Sequence, residues 1–313
     1  MLFGTACPST MMNQPQSAAV IDLGTNSIKF ILAEKTSELD LKVLEEQTLE
    51  VRIGEGISHH PPRLSPDAIE ASVKAIAEIL SAHLPNPEIA VRIVATSAMR
   101  EAENSHQITE ALKAKTGIEL EILDGQREAY YIGQAIRMEA RYAQMDRLYA
   151  MDLGGGSLEW IHIQEDTIQN ACSLPLGAVR LTERWVEDPT KALPDSSISA
   201  VRKAVRASLI EAELHVPTQS TFLGSGGVFY ILKALSGGDS QFKTKEIEAL
   251  AQSLAQVDIS QRIEHFCVPE KRADILPVAL ITIVSVLQYF QIKTIEHSKS
   301  TLKYGLLKEL LRL

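Results

Sequence analysis

V-I-D-L-G-T-N-S-I-K-F-I at Val20–Ile31 returns, about 130 residues later, as A-M-D-L-G-G-G-S-L-E-W-I at Ala150–Ile161. Each copy is an apolar run ending in Asp, then a Gly-bearing turn, a Ser and an alternating strand, the pattern of a β-hairpin. The copies align in register: Asp22 with Asp152, Leu23 with Leu153, Gly24 with Gly154, Ser27 with Ser157, and Lys29 opposite Glu159. A hairpin repeated at that separation predicts two similar domains, each presenting a glycine-rich turn and a carboxylate.

Downstream of the first hairpin (Ala18–Glu34), Leu41–Ile53 reads as a strand closing on Gly54-Glu55-Gly56. Ser65-Pro66 starts a helix, with Ser as N-cap. Ile69, Val73, Ile76 and Leu80 sustain it until Pro85 and Pro87. Ile89–Ala95 is a short buried strand, Ser105 caps a helix through Lys115 that Gly117 ends, and Ile118–Leu123 is another strand. This order belongs to an α/β unit. A helix from about Gln126 to Arg141 then leads to the second hairpin. Beyond it lie a helix near Ile198–Leu214, a strand at Thr221–Leu223, the loop Gly224-Ser225-Gly226-Gly227 and a further helix, with a mostly helical pattern from Ser240 on.

The 313 residues suit two domains of about 150 each. Apolar content of 45% and charged content of 23% are those of a soluble globular chain. A net charge of −9 excludes a general nucleic-acid binder, yet leaves room for a basic cleft that takes a polyanion. Ile275–Phe290, interrupted by Pro277, Thr282, Ser285 and Gln288, is a buried core helix rather than a membrane span. Met1–Ser17 has neither the basic nor the apolar region of a signal peptide and reads as a flexible lead-in, with Met11 or Met12 as alternative starts. Cys7, Cys172 and Cys267 form no CxxC pair; a reducing cytoplasm, with at least two of them buried as packing residues, is expected.

Glycine-rich turns aim backbone amides at phosphate, and nearby carboxylates can hold the accompanying metal. Gly24, Gly154, Gly155, Gly156, Gly224, Gly226 and Gly227 permit positive φ and close backbone approach, and Asn26, Ser27 and Ser157 add donors. Thr25 and Ser225 belong to the same loops. Asp152 and Glu159 lie at the two ends of one hairpin, so both can reach one hard cation, with Asp22 the counterpart of Asp152. Glu159 can alternatively activate water, and Asp152 can alternatively cap its turn. Arg100 is the best phosphate cation, because guanidinium binds phosphate bidentately, and Lys29 is next. Arg52, Arg180, Lys299 and Lys303 are further cations, each read first as a solvated surface charge. Trp160, Phe30 and Tyr130 read as core, and His59-His60 as surface.

D-L-G-T-N-S (Asp22–Ser27), A-T-S-A-M-R-E-A (Ala95–Ala102), D-G-Q-R-E-A (Asp124–Ala129), D-L-G-G-G-S-L-E (Asp152–Glu159), L-G-A-V-R-L-T-E (Leu176–Glu183) and G-S-G-G (Gly224–Gly227) occur in this order. Together they resemble the exopolyphosphatase / guanosine pentaphosphate phosphohydrolase family over about residues 18 to 310. The resemblance implies an α/β fold of two actin-like domains with an interdomain cleft, in the ribonuclease H-like superfamily of actin, Hsp70 and the sugar kinases. It implies domain I at 18–127, joined by a C-terminal helix 300–313, and domain II at 128–299, the short two-domain form. It also implies Mg²⁺ or Mn²⁺-assisted hydrolysis of a terminal phosphoanhydride in inorganic polyphosphate or, second, pppGpp, with a homodimer compatible. Glu128 takes the place of the catalytic carboxylate, Arg100 that of the site arginine, and Asp152 and Glu159 those of the metal and water carboxylates.

Four positions depart from the family pattern. Arg127 stands where many relatives are acidic, Val228 where Thr is frequent, and Thr301 and Lys303 where Gly and Arg are usual. The rivals to a hydrolase are an ATP-dependent kinase of the same superfamily and a non-catalytic sensor of polyphosphate or alarmone.

Overall fold

The computed structural model describes residues 15–37, 40–84, 88–217 and 220–313. Most of the expected lead-in, Met11, Met12, Cys7 and the stop at Pro85 and Pro87 lie outside the described residues. β1 (Ser17–Leu23), β2 (Ser27–Ser37) and β3 (Asp40–Glu50) form a meander. α1 (Pro66–His83) crosses to β4 (Ala90–Ala95), parallel to β1. α2 (Ser97–Glu101) and α3 (Ser105–Thr116) lead to β5 (Leu120–Ile122), and α4 (Gly125–Met138) leaves this sheet.

The second meander is β6 (Arg147–Leu153), β7 (Leu158–Gln164) and β8 (Thr167–Leu174). α5 (Ala178–Trp185) and α6 (Asp195–Glu211) cross to β9 (Thr221–Ser225), parallel to β6. Next come α7 (Gly227–Leu235), β10 (Gln241–Lys243), α8 (Thr244–Ala255), α9 (Ile259–Glu264) and α10 (Leu276–Tyr289). β11 (Thr294–His297) and α11 (Leu302–Leu311) follow. The first sheet runs β3-β2-β1-β4-β5; the second runs β8-β7-β6-β9-β11, with β10 added at its edge. One strand order used twice, with helices on the faces, gives the two similar α/β units that the repeated hairpin predicts.

Strand alternation decides which core each residue enters. Ala19, Ile21 and Leu23 join the cluster under α1 and α3, whereas Ala18 and Val20 face α4, α11 and, beyond them, Leu148, Ala150 and Ile161 of the second sheet. Tyr149, Met151 and Leu153 turn to a third cluster built on α5–α10. α4 and α11 therefore lie between the sheets, each apolar side chain buried there contributing about 1.5–3 kcal/mol. Gly305 lets them touch: a Cβ there would stand 1.9 Å from the Tyr131 carbonyl oxygen.

Ser65 Oγ accepts from Ala68 N at 3.2 Å with Pro66 opening α1, and Gly117 ends α3 with φ 74°. α10 is almost wholly buried, and among the described residues no helix is long and apolar enough to cross a membrane. Other expectations are corrected. Asn104, not Ser105, occupies the N-cap of α3, and its side chain makes no cap bond because it binds Leu64 N and O instead. Tyr130 is exposed, on the outer side of α4, while Trp160 and Phe30 are core. Cys172 is half-buried and Cys267 exposed, so neither is a fully buried packing residue.

Candidate active site

Both hairpin turns reach the floor of one cleft with about 860 Å³ of open space. In each, the first glycine amide donates to the serine carbonyl three residues on, Gly24 to Ser27 and Gly154 to Ser157, both at 3.0 Å. Two further carbonyls in each turn are held from behind by backbone amides. Gly54 N donates to Thr25 O and Arg52 N to Asn26 O, both at 2.9 Å. In the second turn Ala178 N holds Gly154 O at 3.0 Å and Val179 N holds Gly155 O at 2.8 Å. Among the described residues no protein acceptor takes the amides of Thr25, Asn26, Gly155, Gly156 or Ser157.

The glycines mostly serve close approach. A Cβ on Gly156 would lie 2.5 Å from both Thr25 Oγ1 and Ser97 Oγ, and one on Gly155 3.2 Å from Thr25 Cβ, so the turns abut. Positive φ, expected broadly, occurs in these loops only at Gly226 (94°), which hugs Asp152: a Cβ there would meet Oδ1 at 2.6 Å. Gly224 lies beneath the loop, against the Phe229 ring, and Ser225 is fully buried with Oγ donating to Asp152 Oδ2 at 2.8 Å. Neither lines the cleft, whereas Gly24, Thr25, Asn26, Ser27, Gly154–Ser157, Gly226 and Gly227 do.

Strand register fixes the carboxylates: Asp22 is paired with Lys29 and Asp152 with Glu159. Lys29 Nζ donates to Asp22 Oδ2 at 3.4 Å, and Asp22 Oδ1 is buried without a partner. Burial opposes Lys29's charge, but Asp22 and then Asp152 outweigh it and raise its pKa. Asp152 spends no oxygen on its turn; burial pushes its carboxyl above the ordinary range against Lys29 and Ser225, with Asp22 adding to the rise. Glu159 is pushed up to about 7 by burial and then by Asp152, against the Ser157 and Ser173 hydroxyls and Arg100.

Asp124 caps α4 through Arg127 N at 2.7 Å, and Gly125 lets the helix start rest on Ser173 of β8. The first turn thereby sets Glu128 in the cleft, buried, with Arg100 donating to its Oε2 at 2.6 Å. Burial, then Glu159, raises the Glu128 pKa well above the carboxylate range; Arg100 opposes this and Asp22 adds to it. Arg100 also donates to Leu123 O at 2.9 Å and Ser173 Oγ at 3.4 Å, and it does not line the cleft. Among the described residues its partners are Glu128, Leu123 O and Ser173. Ser173 Oγ in turn donates to Glu159 Oε1 at 2.8 Å, so Glu159 is linked to Glu128 through this hydroxyl and Arg100.

Residues 14–313 match the Ppx/GppA phosphatase family. The chain belongs to the Ppx/GppA phosphatases. Membership places it among phosphoanhydride hydrolases. Solved structures share the fold. An Aquifex aeolicus PPX-GPPA enzyme is 22% identical, with 94% of this chain and 99% of that one covered and a TM-score of 0.75. An exopolyphosphatase from Cytophaga hutchinsonii is 24% identical, with 94% and 98% covered and a TM-score of 0.82. An exopolyphosphatase-like protein is 22% identical, with 95% and 99% covered and a TM-score of 0.83.

Within this Ppx/GppA phosphatase, three cations expected to be solvated are engaged. Arg52 binds Asp274 at 2.6 Å, Arg180 pairs with Glu101, and buried Lys303 pairs with Glu46; Lys299 alone of the four is exposed. Arg127 pairs with Glu121 at 2.7 Å and points away from the cleft, while Val228 lines it. Two residues of the site carry no signal in the sequence: Arg272, which lines the cleft beside Gly227 and is tethered to Glu50, and Ser173, which donates to Glu159. Among the described residues no three His, Cys, Asp or Glu side chains are grouped to hold a metal ion.

Proposed function

We propose that the protein removes the terminal phosphate of inorganic polyphosphate by hydrolysis, with Glu128 as the base. The observation that supports this reading most is the placement of a buried carboxylate of raised pKa beside two abutting turns whose amides have no protein acceptor. The amides of Thr25, Asn26, Gly155, Gly156 and Ser157 would receive the oxygens of the terminal phosphoryl. Arg100 occupies Glu128 Oε2, so Oε1 is left for the attacking water. A carboxylate whose pKa lies nearer neutrality is the stronger base there. The water oxygen bonds to the terminal phosphorus, its proton passes to Glu128, and the bridging P–O bond breaks. The products are orthophosphate and a chain one unit shorter. Lys29 and Arg272 face the cleft where the charge of the departing chain accumulates.

The acidic groups suit a hard divalent ion such as Mg²⁺ or Mn²⁺. Asp22 Oδ1 is buried and unpartnered, and Asp22, Asp152 and Glu159 offer only oxygen. With no three of them grouped as a chelate, the protein would supply one or two carboxylates and the phosphate oxygens the rest, which is the habit of Mg²⁺. Such an ion would neutralise charge on the transferred phosphoryl.

The test is orthophosphate release from short and long polyphosphate and from pppGpp with Mg²⁺. Release from polyphosphate supports the reading. Release from pppGpp alone makes the protein a guanosine pentaphosphate phosphohydrolase, and tight binding without release makes it a sensor.

A further inference from the structure

We infer that Arg180, on α5 beside the second phosphate turn, is a positioning residue that sets that turn and ties it to α2 of the first half of the molecule. In the first turn, backbone amides hold the carbonyls of Thr25 and Asn26 from behind. The second turn has amides for Gly154 O and Gly155 O, but Gly156 O takes its hydrogen bond from a side chain, Arg180 Nε, at 2.6 Å. The rest of that guanidinium reaches into the first half of the molecule, to Ser97 Oγ at 3.3 Å and to both oxygens of Glu101 on α2. A peptide whose carbonyl is pinned on one side presents its amide on the other. Arg180 thus fixes the plane of the Gly156–Ser157 peptide, and so the direction of the Ser157 amide that would meet phosphate. A planar fork with donors on three nitrogens can serve Gly156, Ser97 and Glu101 together; the three donors of an ammonium radiate from one nitrogen and do not reproduce that planar spread. The contact leaves little slack, because a Cβ on Gly177, at the start of α5, would stand 2.2 Å from the Gly156 carbonyl carbon.

The inference rests on the turn being a phosphate site, as proposed above, so its test reads binding as well as turnover. Tripolyphosphate binding by calorimetry and phosphate release are measured for wild type, Arg180→Ala and Arg180→Lys, with melting curves alongside. Arg180→Ala should bind tripolyphosphate about tenfold more weakly and lose about a hundredfold in kcat. Added methylguanidinium should restore part of both, and methylammonium neither. Arg180→Lys keeps a cation near Glu101 and should fold even if the alanine variant does not, yet show the same losses. Wild-type binding and kcat in the lysine variant, or alanine-variant losses that methylammonium repairs equally well, overturn the role of the fork. If wild type releases no phosphate from any substrate but its tripolyphosphate binding still depends on Arg180, the hydrolase reading fails and this inference stands.

Discussion

Glu159→Gln should make the protein more stable at pH 8 when divalent ions are chelated. The Glu159 carboxyl titrates in the fold at about 7 instead of its ordinary 4.5, because it is buried beside Asp152. A carboxyl raised in this way favours the fold while protonated. That contribution is complete below about 4.5 and is lost as pH climbs through about 7. The difference corresponds to about 3 kcal/mol at pH 8 and about 1 kcal/mol at pH 5. Glutamine removes the charge and keeps an oxygen for the Ser173 hydroxyl, which now donates to Glu159 Oε1 at 2.8 Å. Urea and thermal unfolding in EDTA at both pH values, wild type against variant, measure the effect. A chain of this size should melt roughly 5–10 °C higher as the variant at pH 8, and the gap should narrow at pH 5. Added Mg²⁺ should stabilise wild type at pH 8 more than the variant. A variant equal to or less stable than wild type at pH 8 would refute the idea that Glu159 carries an uncompensated buried charge.

Three further outcomes follow from the contacts. Arg100 lowers the Glu128 pKa, so Arg100→Ala should move the acid limb of the kcat–pH profile to higher pH and reduce kcat about 10²–10⁴-fold; a profile that stays in place contradicts the pairing. Gly156→Ala would drive a methyl into Thr25 and Ser97, force the turns apart, cost about 1–3 kcal/mol in denaturant unfolding and abolish turnover; an active variant of native stability would show that the turns need not abut. Gly305→Ala would push α11 off the Tyr131 backbone and should lower the melting temperature without a specific change in KM; native melting would contradict the helix contact.

The parts of this account legible in the sequence are those written locally. A β-hairpin is closed by neighbouring residues, so the register that brings Asp152 to Glu159 and Asp22 to Lys29 could be read from alternation alone. The same holds for the Ser65 cap and the Gly117 stop. β8 was missed because its residues are mostly polar and part-exposed, and β10 and β11 because strands of three and four residues carry too little periodicity. Ser105 looked like a cap because capping chemistry is local, whereas Asn104 is engaged by Leu64, forty residues away. The supporting residues were hidden for the same reason. Arg100 meets Glu128, Ser173 meets Glu159, Arg180 meets Gly156 and Arg272 meets Glu50 only once two sheets and α4 are in place. An isolated arginine carries no mark of the partner that will hold it. The glycines advertised a turn correctly, but whether each served positive φ or close approach depended on the opposing turn.

The central claim is that Glu128, held by Arg100, takes the proton of the attacking water. Glu128→Gln tests it most directly, because the amide oxygen can still face Arg100 while the base is gone. Orthophosphate release from polyphosphate with Mg²⁺ should fall by about 10²–10⁴-fold, with tripolyphosphate binding within about twofold of wild type. Release at the wild-type rate in that variant would contradict the account.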